Sequence, residues 1–359
     1  MDESTPWLTA ALRSRYLTTS AGLLLDSESN QEPVWMCPNS AFEKWYSELE
    51  SILNLTLGRR LAHAAAESEE VRWSHAPPLP KSWFKQQSKR MSIINRDWDL
   101  RGIGQLAILE LSDDEQKIIV ANRANSPISA GMANASWELI QEQRFRFQWS
   151  DRGAGETVIQ IERDSRSIPA PSKSVANWTD VETEVIETER LTDRARHEEK
   201  GVWCVEGNRS SIIQRDLILR FEALSLPYLT KQPRIADSRT DWGGVDDKET
   251  LVFWDGVAEA SRRQFLASGE LALIADSEHW IGVSKQHLSK QGLGVITSAN
   301  SIDENGGVKL HLRAVFHPAI TTGRLLGCWE RSEGRHGKAL WKSDENGHEI
   351  TIRTLREIA

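Results

Sequence analysis

Apolar and polar residues alternate along 145–149, with Phe145, Phe147 and Trp149 set against Arg146 and Gln148. A strand here carries its aromatics on one face, and its other face is wet or binds something. A longer period runs through Phe42, Trp45, Leu49, Ile52, Leu53 and Leu57. It predicts a helical segment from about Ala41 to Val71. The strand segments GIGQLAILEL (102–111) and KIIVANR (117–123) flank Ser112-Asp113-Asp114-Glu115, a turn-rich stretch that predicts a hairpin. SAGMANASWELIQ (129–141) reads as a helix, and RFRFQWS (144–150) with ETVIQIER (156–163) as a closing hairpin.

The second half has a similar pattern. A helix is expected from about Leu251 to Ala275. The strands GLGVITSANS and VKLHLRAVF follow around the turn Asp303 to Gly307, then the helix TTGRLLGCWERS, then the strands KALWKSD and EITIRTL. Asn346-Gly347 is a strong turn signal before the last strand. The succession of helices, hairpin, helix and hairpin predicts an α+β architecture: an antiparallel sheet with helices packed on one face.

The two halves also share marks. Gly131, Trp137-Glu138 and Trp149 recur as Gly323, Trp329-Glu330 and Trp341, all shifted by 192 positions. Gly102-x-Gly104 is matched by Gly292-x-Gly294, and Trp83 before Ser88-Lys89 by Trp280 before Ser284-Lys285. Their common order predicts two tandem copies forming a pseudo-dimer. The expected division is residues 1–164, a linker at 165–200, and residues 201–359. Within the linker, SRSIPAPSKS is Pro- and Ser-rich, and Asp180 to Lys200 is charged enough to be an exposed helix or a mobile tether. IIQRDLILRFEAL (212–224) reads as the first helix of the second copy.

At 359 residues two domains are the natural expectation, and 39% apolar with 27% charged residues is a globular balance. No apolar run approaches the ~20 residues that span a bilayer. The acidic start, MDESTPWLTA, is not that of a secretory signal. Three widely spaced cysteines, Cys37, Cys204 and Cys328, suit buried thiols in a reducing cytoplasm. A net charge of −8 argues against general nucleic-acid binding. Fifteen tryptophans suit large cores, partner surfaces or an aromatic-lined cavity.

The GxG-led strand, the hairpin, Ser129-Ala130-Gly131-Met132 with Trp137-Glu138, and Leu57-Gly58-Arg59-Arg60-Leu61 together resemble 4-vinyl reductase domains. That family is related to the fold of the small subunits of the TRAPP trafficking complex. The resemblance covers about residues 40–163 and 250–355. It implies binding of a small apolar molecule, hydrocarbon or tetrapyrrole-like, in an internal cavity, and pairing of domains. Sensory relatives hold zinc with cysteines in the terminal hairpin; neither terminal hairpin here has a cysteine. The resemblance leaves no DNA-binding or ATPase output segment outside the two copies.

No catalytic motif survives. HEEK at 197–200 lacks the second histidine of HExxH, and the GxG pairs lack the third glycine of a dinucleotide loop. Six of nine histidines fall between His279 and His348, so His311, His317 and His336 are candidate metal ligands, although loop and surface histidines are the plainer reading. Candidate cavity residues are Gly131, Trp137, Phe145, Phe147, Gly323, Trp329 and Cys328. The competing structural reading has the tryptophans anchoring helix to sheet, the glutamates capping or pairing, and Gly131 and Gly323 letting the helix approach the sheet. The expected function is a non-catalytic cytoplasmic binding protein for a small apolar ligand or a partner protein, as a monomeric pseudo-dimer or a homodimer. A ligand-free scaffold and a tetrapyrrole or aromatic-metabolism enzyme using the second-half histidines are the alternatives. Diverged copies also allow divided roles, one keeping a cavity and the other an interface.

Overall fold

The computed structural model describes residues 4–81, 85–111 and 116–355. The Ser112–Glu115 turn and Trp83 of the sequence comparison lie outside the described residues. The chain opens with α1 (Pro6–Arg15), β1 (Tyr16–Thr18), β2 (Leu24–Asp26) and β3 (Glu32–Pro38). Then come α2 (Asn39–Leu53), α3 (Gly58–His75), α4 (Gln86–Arg101), β4 (Gln105–Leu111), β5 (Gln116–Ala121), α5 (Ser126–Gln141), β6 (Phe145–Arg152) and β7 (Glu156–Arg163). An extended segment leads to β8 (Ala195–Glu199), β9 (Val202–Val205), β10 (Asn208–Gln214), α6 (Arg215–Ser225), β11 (Thr240–Trp242), α7 (Lys248–Ser268) and α8 (His279–His287). The chain continues through β12 (Gly294–Ser301), β13 (Val308–Val315), α9 (Pro318–Glu333), β14 (Gly337–Asp344) and β15 (Gly347–Thr354).

The class is α+β. Three sheets form: β1-β2-β3-β10-β9-β8, β4-β5-β7-β6, and β11-β14-β15-β13-β12. All pairings are antiparallel except β11 with β14. The six-stranded sheet at the centre was not predicted. Its middle is the pairing of β3 with β10, in which Trp35 faces Ile213 and Met36 faces Ile212. Strand alternation sends Trp35, Cys37 and Ile213 into the main core, whereas Val34, Met36 and Ile212 pack with Leu8, Leu12 and Trp203 on the other face. The main core runs without a break through both halves.

The single helix expected over 41–71 is two. Asn54 takes a left-handed conformation (φ 51°) and ends α2, and α3 starts four residues later. Asparagine tolerates that region better than most side chains, so a polar residue inside the apolar stripe is the break. The starts of α5 and α9 follow ordinary cap chemistry: Asn125 Oδ1 accepts from Ile128 N at 3.3 Å, and His317 Nδ1 from Ala319 N at 3.2 Å. Residues 212–214 belong to β10, and the helix begins only at Arg215.

The charged stretch 180–200 is neither an exposed helix nor a mobile tether. It runs extended apart from one helical turn at Leu191–Arg194 and is held by backbone bonds at several points. Val181 N donates to Arg313 O (2.9 Å), Ser20 N to Glu184 O (2.8 Å) and Ile186 N to Thr18 O (2.8 Å), and residues 195–199 form β8. Asp180 accepts from His348 Nε2 and Arg215 Nη1, both at 2.9 Å. Several of its charges, Asp180, Glu187, Arg190 and Asp193 among them, pair with side chains or backbone elsewhere, which i,i+4 counting along the sequence does not reveal.

Gly131 and Gly323 correct another expectation. A Cβ on Gly131 would stand 1.8 Å from Ala62 O in α3, and one on Gly323 2.0 Å from Ala258 O in α7. Each glycine lets helix meet helix; the sheet is not what it touches. The GxG pairs have a related role. Gly104 N donates to Gly201 O and Gly294 N to Gly22 O, both at 3.2 Å, so each GxG meets a turn of the central sheet.

Candidate functional site

The ends of α1 and α4 and the middle of α3 bring six charged side chains together beneath the central sheet. Arg15 clasps Asp26 of β2 through Nε (2.9 Å) and Nη2 (2.8 Å), and its Nη1 reaches Asp97 Oδ1 at 2.6 Å. Arg72 also donates to Asp97 Oδ1. Arg101 Nη1 binds Glu69 Oε2 at 2.7 Å and Asp97 Oδ2 at 3.2 Å. Glu69 Oε1 accepts the indole N–H groups of Trp98 (3.1 Å) and Trp73 (2.9 Å). All six side chains are at most 6% exposed. Three arginines balance three carboxylates, and an unbalanced set could not be buried at acceptable free energy. Burial by itself pushes Asp97 up, but Arg72, Arg15 and Arg101 outweigh it and hold its carboxyl well below the ordinary range. Burial likewise pulls Arg101 down, and Glu69 with Asp97 more than reverse that.

Arg101 is also the edge of an enclosed cavity of about 10 Å³, room for one water. Its other walls include Phe42, Ile103, Ile128 and Leu217, with Asn39, Asn125, Ser211 and Gln214 as further polar lining. Three buried polar atoms here find no protein partner: Asn39 Nδ2, Asn39 Oδ1 and Arg101 Nε. Buried polar atoms are nearly always paired, so these three mark where something else hydrogen-bonds. Gln214 closes the cavity from β10, held by Ser68 Oγ (3.2 Å) and Ser29 Oγ (3.1 Å). A second water-sized cavity lies beyond it, against Arg72, whose Nε and Nη1 are also unpartnered.

The corresponding space of the second half is filled. Phe316 precedes the cap of α9 as Ala124 precedes the cap of α5, and Trp35 occupies on β3 the place Ser211 has on β10. The rings of Trp35 and Phe316 are buried with centroids 6.1 Å apart. His317 is fully buried, its Nε2 3.0 Å from Glu222 Oε2, whose other oxygen accepts from Trp254 Nε1 at 2.9 Å.

The histidines singled out from the sequence are not brought together. His317 lies in this core pair, His311 is 3.8 Å from Glu349 on the sheet, and His336 is exposed beside Arg239 at 2.9 Å. Among the described residues no group of three or more His, Cys, Asp or Glu could hold a metal ion. Trp137, Trp329, Cys328 and Phe145 are buried in the core. Trp329 Nε1 donates to Gly306 O at 2.8 Å. Glu138 and Glu330 each accept the first N–H of the following strand, from Phe145 (2.8 Å) and Gly337 (3.0 Å). Phe147 is only half-buried, its ring centroid 6.0 Å from Trp149 and 5.4 Å from His63, in an open groove.

The cluster itself escaped sequence reasoning. A signal existed: Ile94, Asp97, Trp98 and Arg101 fall on one helical face, so charges occupy what the period marks as buried positions. No protein-family model, curated protein or solved structure matches this chain.

Proposed function

We propose that the chain is a non-catalytic binding protein made of two 4 vinyl-reductase-like copies fused as a pseudo-dimer, with a small-molecule site kept only in the first copy. The duplication is supported by shared order and shared contacts. The sheets β4-β5-β7-β6 and β12-β13-β15-β14 run in the same sequence of pairings. Gly131 on Ala62 is repeated by Gly323 on Ala258, and Glu138 with Phe145 by Glu330 with Gly337. Gly104 with Gly201 and Gly294 with Gly22 are reciprocal contacts, as a pseudo-two-fold arrangement requires. Fusion holds such a pair together at high effective concentration.

The observation that carries the binding site is the unpartnered Asn39 amide and Arg101 Nε at the end of an apolar cavity. As it stands the cavity has room for a single water, so a small, largely apolar molecule with one hydrogen-bonding group enters only by parting walls such as Phe42, Ile128 and Leu217. A tetrapyrrole is far larger than this space, so of the ligands the resemblance implies, only a small one is within reach of such a rearrangement. Three free, widely separated thiols are in keeping with a reducing, cytoplasmic setting. No helix among the described residues is long and apolar enough to cross a membrane.

Native mass spectrometry of the purified chain tests the site. A small adduct is expected on the intact chain and is expected to vanish in Ala124→Phe, which copies the second half's filling. A chain without adduct, or an adduct that Ala124→Phe retains, would sink the assignment.

A further inference from the structure

We infer that the open edge of β6 is a strand-addition site for an extended, acidic peptide of a partner protein. The two four-stranded arrangements differ at one edge. In the second half β14 is covered by β11, which runs parallel to it with Asp241 opposite Leu340 and Trp242 opposite Trp341. Among the described residues β6 ends its sheet in the first half. The cause lies in the connections. Residues 226–247 join α6 to α7 and supply β11, whereas α2 and α3 are joined by residues 54–57 alone, too few to cross to the sheet edge and return.

The backbone of β6 is turned to receive a strand. Phe145 N donates to Glu138 Oε1 and so points away from β7, and the two-residue alternation turns the N–H groups of Phe147 and Trp149 the same way. In β14 the matching groups are in use: Ala339 N donates to Arg239 O (2.8 Å), and Trp341 O accepts from Gly243 N (2.7 Å).

The side chains choose the chemistry. An open groove of about 1050 Å³ wraps the β6 edge, with Arg59 and His63 of α3 and the rings of Phe147 and Trp149 on one side and Arg146 and Glu162 on the other sheet face. Its charged lining is Arg59, Arg146, Arg163 and Glu162, with Arg146 Nε also 3.3 Å from Asp164 Oδ2. Gly131 on Ala62 and Gly323 on Ala258 align α3 with α7, so Arg59 stands where the second half has Asp255. Asp255 accepts the Thr240 hydroxyl (3.1 Å) and the Trp242 indole N–H (2.9 Å) of the covering strand. A guanidinium there selects the opposite partner, a carboxylate. Lys338, matched by Arg146, pairs with Asp241 at 2.7 Å, so a second acid is expected one residue along. Gly58 stands where the second half has Trp254, which packs on Trp242 of the covering strand, so an inward aromatic of an added strand faces a glycine in place of an indole. The occupant is an extended segment with adjacent acids followed by an aromatic, added parallel to β6. The matched positions rest on the shared strand order and on the α3–α7 correspondence, and the groove is separate from the Asn39–Arg101 cavity.

The test uses the full chain and a synthetic nine-residue peptide of residues 237–245 carrying Thr240→Glu. Saturable binding below ~1 mM is expected, with slower hydrogen exchange over residues 145–152. Arg59→Glu and Arg146→Glu, both at exposed positions, should each weaken it by about 5-fold. A peptide carrying Thr240→Lys instead should bind Arg59→Glu better than it binds the unaltered chain. No saturation, binding indifferent to both arginines, or protection elsewhere than in β6 would overturn the proposal.

Discussion

Gly131 of α5 lies so close to Ala62 of α3 that a methyl group on it would overlap the Ala62 carbonyl oxygen, at 1.8 Å. The obstacle is backbone, which cannot swing aside as a flexible side chain can. Gly131→Ala is therefore expected to destabilise the chain by ~3 kcal/mol or more through overpacking. Gly282→Ala, in α8 with nothing within 4 Å, should instead gain about 0.5–1 kcal/mol from helix propensity. Urea unfolding of the two variants checks the contrast; equal effects would refute the helix–helix role.

The buried charge cluster makes a second prediction. Asp97→Ala leaves Arg15, Arg72 and Arg101 short of a counter-charge, and a loss of ~3–5 kcal/mol is expected. The pH dependence has a definite sign. Because the folded carboxyl titrates below its unfolded value of ~3.9, its contribution is present in full above that value and is lost as pH falls below it. The stability gap between the unaltered chain and Asp97→Asn should shrink on acidification below about pH 4 and stay constant from about pH 6 to 8. Chemical denaturation across pH measures it.

These residues went unread in the sequence for a physical reason. The buried stripe of α4 mixes Ile94 and Trp98 with Asp97 and Arg101, so no clean apolar period marks it. Burial of those charges depends on Arg15 and Asp26, more than 70 positions away, whose proximity no local pattern encodes.

The cavity residue Asn39 supplies a third prediction. Its amide has no protein partner, so Asn39→Leu should raise the stability of the ligand-free chain by about 1 kcal/mol, removing an unsatisfied buried group. The same change should abolish retention of the small adduct. Thermal unfolding paired with native mass spectrometry reads both; a variant that is less stable yet still carries the adduct would contradict the reading.

Thiol chemistry gives a fourth. Cys37 and Cys328 are fully buried, and burial pushes both thiols up, Cys328 to about 12. Cys204 is only half-buried, and although burial raises it too, its exposure leaves it the reactive one. A thiol-specific reagent should titrate one cysteine in the native chain and all three in denaturant. Fast reaction of Cys37 or Cys328 under native conditions would show that the core opens.

The sequence alone determined the class and the terminal units of this protein. Alternation in 144–163 and 338–355, the turn at Asn346-Gly347, and the Gly and Trp-Glu marks are local signals, and β6, β7, α5, α9, β14 and β15 lie where those signals put them. Tertiary structure alone decided the rest. The strands of the central sheet are three to seven residues long, and its two locally paired sets are joined through β3 with β10, across some 175 positions as Met36 with Ile212, a partner that periodicity does not see. Whether a glycine faces a helix or a sheet, which half keeps a cavity, and which sheet edge stays open all depend on side chains meeting across the two halves. Phe316 and Trp35 fill one space; Ala124 and Ser211 leave its counterpart open, and that difference exists only once β3 and β10 lie side by side.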